Sequence, residues 1–393
     1  MKKLIVLLNI LLFAGFTLAQ SNTSTVTQTG DDNSANVNQT GLSNTSGIVQ
    51  EDGDNVGDVY QYGDYNTSDV YQRTTWSSLG NDVEIDQIGD YNYGQAQQWN
   101  ADNEATIYQS GLWNWARLSQ AQLGNIGDVS QTGDYNHAAG LTNGGYTEHY
   151  ITQTGDNNIA TINSTGGYNY VNIYQQGDDN VAGSNPYYSG AYGVDQDGQD
   201  NYANILVYGN RNITYGEQDG DDNDIYMELG LWGGASDNDV DFEQTGDDNY
   251  LETRMVSAEF NEVDGTQTGD DNFFRVTIKG DYNDVEMDAI GSRNRGSWNF
   301  SSTWPSYSDY NVLTIQQDGD DNLTNGNVAG DDNEIEIDQD GNGNKVGTLW
   351  YGSDGVNILG SYNDVDIEQT GDLNSSLNSI TGNNNVITVN QSN

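Results

Sequence analysis

Amides and carboxylates are the groups in this sequence that could do chemistry, and both come at fixed spacing. The phrase Gln-x-Gly-x-x-Asn begins at Gln28, Gln39, Gln61, Gln87, Gln109, Gln131, Gln153, Gln175, Gln196, Gln218, Gln244, Gln267, Gln317, Gln339 and Gln369. The Asn residues that close it are Asn33, Asn44, Asn66, Asn92, Asn114, Asn136, Asn158, Asn180, Asn201, Asn223, Asn249, Asn272, Asn322, Asn344 and Asn374. Between Gln109 and Gln175 the step is 22 residues without error. Looser copies start at Ser164, Val207, Ile278, Val328 and Ile380. An amide both donates and accepts, so identical amides brought into register can bond to one another. The chemistry is therefore cohesion between repeats. Asp often sits in turns, as in Gly-Asp-Asp-Asn at Gly220 and Gly246, where oxygen ligands could hold a hard cation such as calcium loosely.

Catalytic chemistry has little to stand on. His137 and His149 are the only histidines. His137 falls on the outward parity of its repeat, and His149 is expected in an irregular segment. Acid pairs occur everywhere, so none stands out as a general acid and base. Cysteine is absent, which excludes thiol chemistry and disulfide staples. With a formal charge of −49, phosphate recognition and hence a nucleic-acid partner are excluded.

The elements that must position the amides follow from parity. Asn33, Ala35, Val37 and Gln39 are two apart, so an extended strand puts all four on one face. Asn103, Ala105, Ile107, Gln109 and Asn333, Ile335, Ile337, Gln339 repeat the pattern. The opposite parity is polar: Glu334, Glu336, Asp338 in one unit, Asp364, Asp366, Glu368 in another. Gly30, Gly133, Gly155, Gly177, Gly220, Gly246, Gly269, Gly319 and Gly371 supply the turns, because glycine accepts positive φ. Eleven residues make a strand and a turn; two such units make a layer. The expected fold is all-β: a β-solenoid of stacked ~22-residue strand-turn-strand layers forming two parallel in-register sheets, a cross-β arrangement. Gln and Asn are expected inside it as ladders.

The pattern Gln-x-Gly-x-x-Asn-x-Ala-x-x-x-Gln resembles the curlin repeat of curli fibre subunits. Gln28 to Gln39 matches it at every defined position, and the Ala recurs at Ala105, Ala138, Ala160, Ala182 and Ala203. The resemblance covers residues 28–393. It implies a secreted amyloid subunit that builds extracellular fibres for adhesion and biofilm matrix. The implied partners are the chain itself, other curlin-like subunits and a dedicated outer-membrane export channel. The chain departs from familiar subunits in carrying more layers and more Asp, and residues 20–27 leave little room for their Gly-rich export segment.

Met1-Lys2-Lys3, the apolar run Leu4 to Leu18 and the small residues before Gln20 read as a signal peptide over residues 1–19. The rhythm breaks near 73–79, 230–237, 296–309 and 347–355, each break carrying Trp (Trp76, Trp232, Trp298 with Trp304, Trp350). These read as bulges from one stack, folded over a sheet edge or a gap in the core. The rival to a fibre is a monomeric, calcium-stabilised surface adhesin. An ice-binding solenoid would need a flat Thr face, and the outward positions here are mixed.

Overall fold

The computed structural model describes residues 21–75, 79–183, 193–230, 235–255, 261–299, 309–347 and 355–393. The expected signal peptide, Trp76, Trp232, Trp304, Trp350 and both prolines lie outside them. Every regular element described is a β-strand, most of seven residues, and every pairing is parallel. The chain coils through about fifteen layers of ~22 residues, each with one strand on either side of a thin core. At about 4.8 Å per layer the stack is roughly 70 Å long.

One side is a 17-stranded sheet from Thr23–Thr29 to Val386–Ser392. The other is an 11-stranded and a 6-stranded sheet, linked by the bridges Tyr250↔Phe273 and Phe273↔Arg295. Identical motif positions lie in register, as in Gln109↔Gln131, Gln131↔Gln153 and Gln153↔Gln175. Register survives the irregular segments: Gln61 pairs with Gln87, Gln339 with Gln369. The next layer resumes in phase even where a strand row is divided, since Val181–Ala182 and Val194–Asp197 both pair with Ile159–Thr165.

The inward parity is buried as the alternation requires. Ala105, Ile107 and Gln109 are all buried, as are Ile335, Ile337 and Gln339. The core is filled by pairing large side chains with glycine. A Cβ on Gly265 would lie 2.6 Å from the Phe242 ring, one on Gly296 2.6 Å from Phe274, and one on Gly326 2.4 Å from Trp298. Trp298, expected in a surface bulge or over a gap, thus sits inside, 2% exposed, in space that a layer with glycine leaves open.

The turns differ in detail from their sequence reading. The glycines named above take positive φ, Gly155 at 115° for example. A Cβ on Gly155 would also lie 2.2 Å from the Gly177 carbonyl oxygen one layer on, so the column of glycines is needed for close stacking as well as for φ. The second left-handed residue is not the motif Asn but the one before it: Tyr135, Asn157, Asp179 and Asp248 all have φ near 60°. The Asp after Gly bonds across layers, not to its own turn. Asp134 N donates to Asp156 Oδ1 at 2.8 Å, and Asp156 N to Asp178 Oδ1 at 2.8 Å. Stacked turns present their N–H groups along the axis, and these carboxylates accept them.

Candidate functional site: amide ladders and the ends of the stack

The Gln side chains form columns on both sheets. On the 11-stranded sheet Gln39, Gln61, Gln87, Gln109, Gln131 and Gln153 each donate from Nε2 to the Oε1 of the next, at 2.8 to 2.9 Å, and the column ends with Gln175 as acceptor. The second amide hydrogen crosses the core: Gln131 Nε2 also reaches the Trp115 carbonyl at 3.0 Å, and Gln153 Nε2 that of His137 at 3.0 Å. On the 17-stranded sheet the column runs Gln28, Gln50, Gln72, Gln98, Gln120, then Gln196, Gln218, Gln244, Gln267, then Gln317, Gln339, Gln369, Gln391. Gln50, Gln72, Gln98, Gln120 and Gln391 fall outside the strict motif, because their turns lack Gly at the third position or meet an insertion. The step of eleven from motif glutamines was the available signal for the first four, and the step of 22 from Gln369 for Gln391.

The Asn residues make two further columns, one at each edge. Asn136 N and Nδ2 both donate to Asn114 Oδ1, at 3.0 and 3.1 Å. Its Nδ2 also donates forward to the Gly155 carbonyl at 2.7 Å. Each Asn therefore ties three consecutive layers. Asn33, Asn44, Asn66, Asn92, Asn158, Asn180, Asn201, Asn223, Asn249, Asn272, Asn322, Asn344 and Asn374 stand in the same two columns.

The ladders are not uniform. After Gln175 the second-sheet column turns apolar: Val207, Leu229, Met255, Ile278, Val328, Ile358 and Ile380, all buried. The looser motif copies at Val207, Ile278, Val328 and Ile380 are this change seen in sequence. On the 17-stranded sheet Thr142 and Ser164 interrupt the column, and there His149 enters from the opposite strand Glu148–Thr154. His149 Nδ1 lies 3.2 Å from Thr142 Oγ1 and Nε2 2.8 Å from Ser164 Oγ. The expectation of an irregular segment for His149 is corrected: it is a fully buried core residue whose ring replaces missing amides. Burial pushes its pKa down to about 3, so it is neutral. Ala289 makes the other break, and Gln317 Oε1 beyond it has no partner.

The ladders have a direction. Gln amides donate toward the C-terminal end, and Asn amides and N–H groups donate back to the preceding Asn Oδ1. At one end of the described stack no hydrogen bond reaches Gln28 Oε1 or Gln39 Oε1, and inward-facing Val26 is 45% exposed. At the other, Gln391 has no following amide, and Ile387 and Val389 are only partly buried. The strands Thr23–Thr29 and Val386–Ser392 have each one edge unpaired among the described residues. A head-to-tail arrangement thus sets the Gln391 donor against the Gln28 acceptor, while the Gln39 column ends in apolar Ile380.

Outward carboxylates surround this core. Glu334, Glu336 and Asp338 pair in register with Asp364, Asp366 and Glu368. Burial raises Asp224 to about 6; burial and then Asp239, Asp264 and Glu262 raise Asp241 to about 6. Among the described residues no three His, Cys, Asp or Glu converge as a metal site, and no helix is long and apolar enough to cross a membrane.

A parallel β-solenoid held by directional amide ladders is the class of protein these contacts define. Within that class, the family model of the curlin associated repeat matches residues 124–166. That segment is Gly124 to Gly166, two layers with a regular 22-residue step and His149 between them. No curated protein matches the chain.

Proposed function

We propose that the chain, freed of residues 1–19, is a secreted structural subunit that polymerises end to end into curli-like cross-β fibres for adhesion and biofilm matrix. The observation that carries this reading is the directional ladder of the 17-stranded sheet, with the Gln28 acceptor unmatched at one end and Gln391 without a following amide at the other. Unpaired edges of a β stack recruit further chain. The curlin repeat match supports the same class and an extracellular place. Other curlin-like subunits and an outer-membrane export channel are the partners that go with it. No catalytic role is assigned. Loose calcium binding to the Asp turns is a secondary property of this proposal, since one oxygen of many turn carboxylates already accepts an N–H. The test is assembly of residues 20–393: thioflavin-binding fibres with a repeat of about 4.7–4.8 Å are expected. A folded chain that stays monomeric at high concentration favours the monomeric adhesin.

A further inference from the structure

The last layers of the stack carry opposite charge on their two faces. On the 17-stranded sheet the strands Glu334–Asp340 and Asp364–Thr370 present Glu334, Glu336, Asp338, Asp364, Asp366 and Glu368 outward in two in-register rows, with no cation among them. The opposite face of the same region is different. Arg295–Ser297, Leu323–Ala329, Lys345–Val346, Val356–Leu359, Ser375–Ser376 and Asn378–Thr381 contain no Asp or Glu. In a chain of net charge −49 with 11 cations, such a region is an exception.

A cleft of about 610 Å³ opens at the edge of that face, where Arg293, Arg295 and Lys345 outnumber Asp321 and Asp372 around Leu323. Arg295, Leu323 and Lys345 occupy one column in consecutive layers. Leu323 points outward yet is only 8% exposed, as expected where the aliphatic stems of its two neighbours lie over it and raise their charged heads. Arg293 is already engaged, donating from Nε and Nη2 to Asp321 at 2.8 and 2.9 Å. Neither the Arg295 guanidinium nor the Lys345 ammonium is held in a side-chain hydrogen bond or ion pair among the described residues; Arg295 lies only near enough to Asp321 to help lower its carboxyl. Gly343 stands where Asp321 and Leu373 have side chains, and this leaves the notch open.

Two free cations two layers apart are about 10 Å apart along the axis. The two carboxylate rows lie in adjacent layers, about 4.8 Å apart, within the span of these two long cationic side chains. We propose that this cationic face docks laterally on the acidic face of a second copy, Lys345 and Arg295 meeting the rows of Glu334 and Asp364. Such a contact joins unlike faces, so it repeats without closing and sets stacks side by side. It goes beyond end-to-end growth and does not depend on it.

Lys345 makes the contact testable, since a carbodiimide joins an amine to a carboxylate only where they touch. Residues 20–393 labelled with ¹⁵N and unlabelled chain are mixed at low salt, cross-linked and digested. The expected products are mixed-isotope links from Lys345 to Glu334, Glu336, Asp338, Asp364, Asp366 or Glu368. They should fall at least tenfold at 1 M salt, where the Debye length is about 3 Å. The pair Arg295→Glu with Lys345→Glu, both exposed, should abolish salt-sensitive lateral bundling in micrographs without changing the β spectrum. Links from Lys345 confined to its own chain, or none, overturn the proposal. So does protection of Lys345 by added polygalacturonate with no link between copies, which would make the cleft a site for another anion. If fibres fail to form while the mixed links appear, end-to-end growth is wrong and the lateral contact stands.

Discussion

Gln153 shows what one amide does in this structure. It accepts from Gln131 and donates both to Gln175 and to the His137 carbonyl. Leucine in its place keeps the volume and loses all three bonds. A buried polar group left without its partner costs about 1–3 kcal/mol. Replacing Gln131, Gln153 and Gln175 together with Leu is therefore expected to lower the denaturation midpoint and slow assembly. Changing outward Thr132, Thr154 and Gln176 should shift stability by no more than about 0.5 kcal/mol. The native switch from Gln175 to Val207 adds a sharper expectation. Cost gathers where amide meets apolar, so the triple change should cost less than three times Gln131→Leu alone. Denaturant titration of the four variants checks this; strict additivity, or equal effects from the outward set, removes the ladder from the account. At the turn, Gly155→Ala should disrupt stacking through φ 115° and a contact of 2.2 Å with the next carbonyl. Gly47→Ala, whose Cβ would meet only Asp69 Oδ1 at 3.4 Å, should be mild. Similar melting temperatures for the two variants would show that the turns have slack.

Strands bring like charges into columns, and titration follows at that scale. On adjacent strands Asp239 faces Glu262 and Asp241 faces Asp264. Burial first, then these neighbours, raise Asp241 to about 6, against an ordinary value near 4. A carboxyl whose pKa is higher folded than unfolded binds more protons folded. Stability is therefore gained as pH falls through roughly 6 to 4, and lost as pH rises through that window. The stack should melt at a higher temperature at pH 5 than at pH 8. Asp241→Asn should raise melting at pH 8 and flatten the dependence. Thermal scans of both chains decide it, and the same melting temperature at pH 5 and pH 8 in the parent chain contradicts it. Replacing Glu334, Glu336, Asp338, Asp364, Asp366 and Glu368 by amides should likewise weaken any acceleration of assembly by acid or by calcium. Much at this scale was legible in the sequence. Period eleven fixed strand and turn, and parity separated Glu334 from Ile335. What lay across the core was not legible, because contact between the sheets has no fixed sequence separation. His149 entering beside Thr142 and Ser164 depends on that packing. Gln50 and Gln120 were hidden by degenerate turns, although their spacing was right.

Along the whole molecule the chain behaves as one stack of near-identical layers with two unlike ends. Its stability is a sum over neighbouring layers, so further layers from another copy add the same kind of contact. The unmatched acceptors of Gln28 and Gln39 and the donor of Gln391 give that addition a polarity. The sequence foretold the stack and the repeats across it. The looser copies at Val207, Ile278, Val328 and Ile380 carried the change to an apolar column, but only the pairing shows that Val207, Val328 and Ile380 stand on one side of the stack. X-ray fibre diffraction of assembled residues 20–393 tests the central claim most directly. The account predicts a sharp meridional reflection at about 4.7–4.8 Å and an equatorial one near 10 Å. A chain that remains a soluble monomer with a β spectrum, or fibres without the meridional spacing, would contradict it.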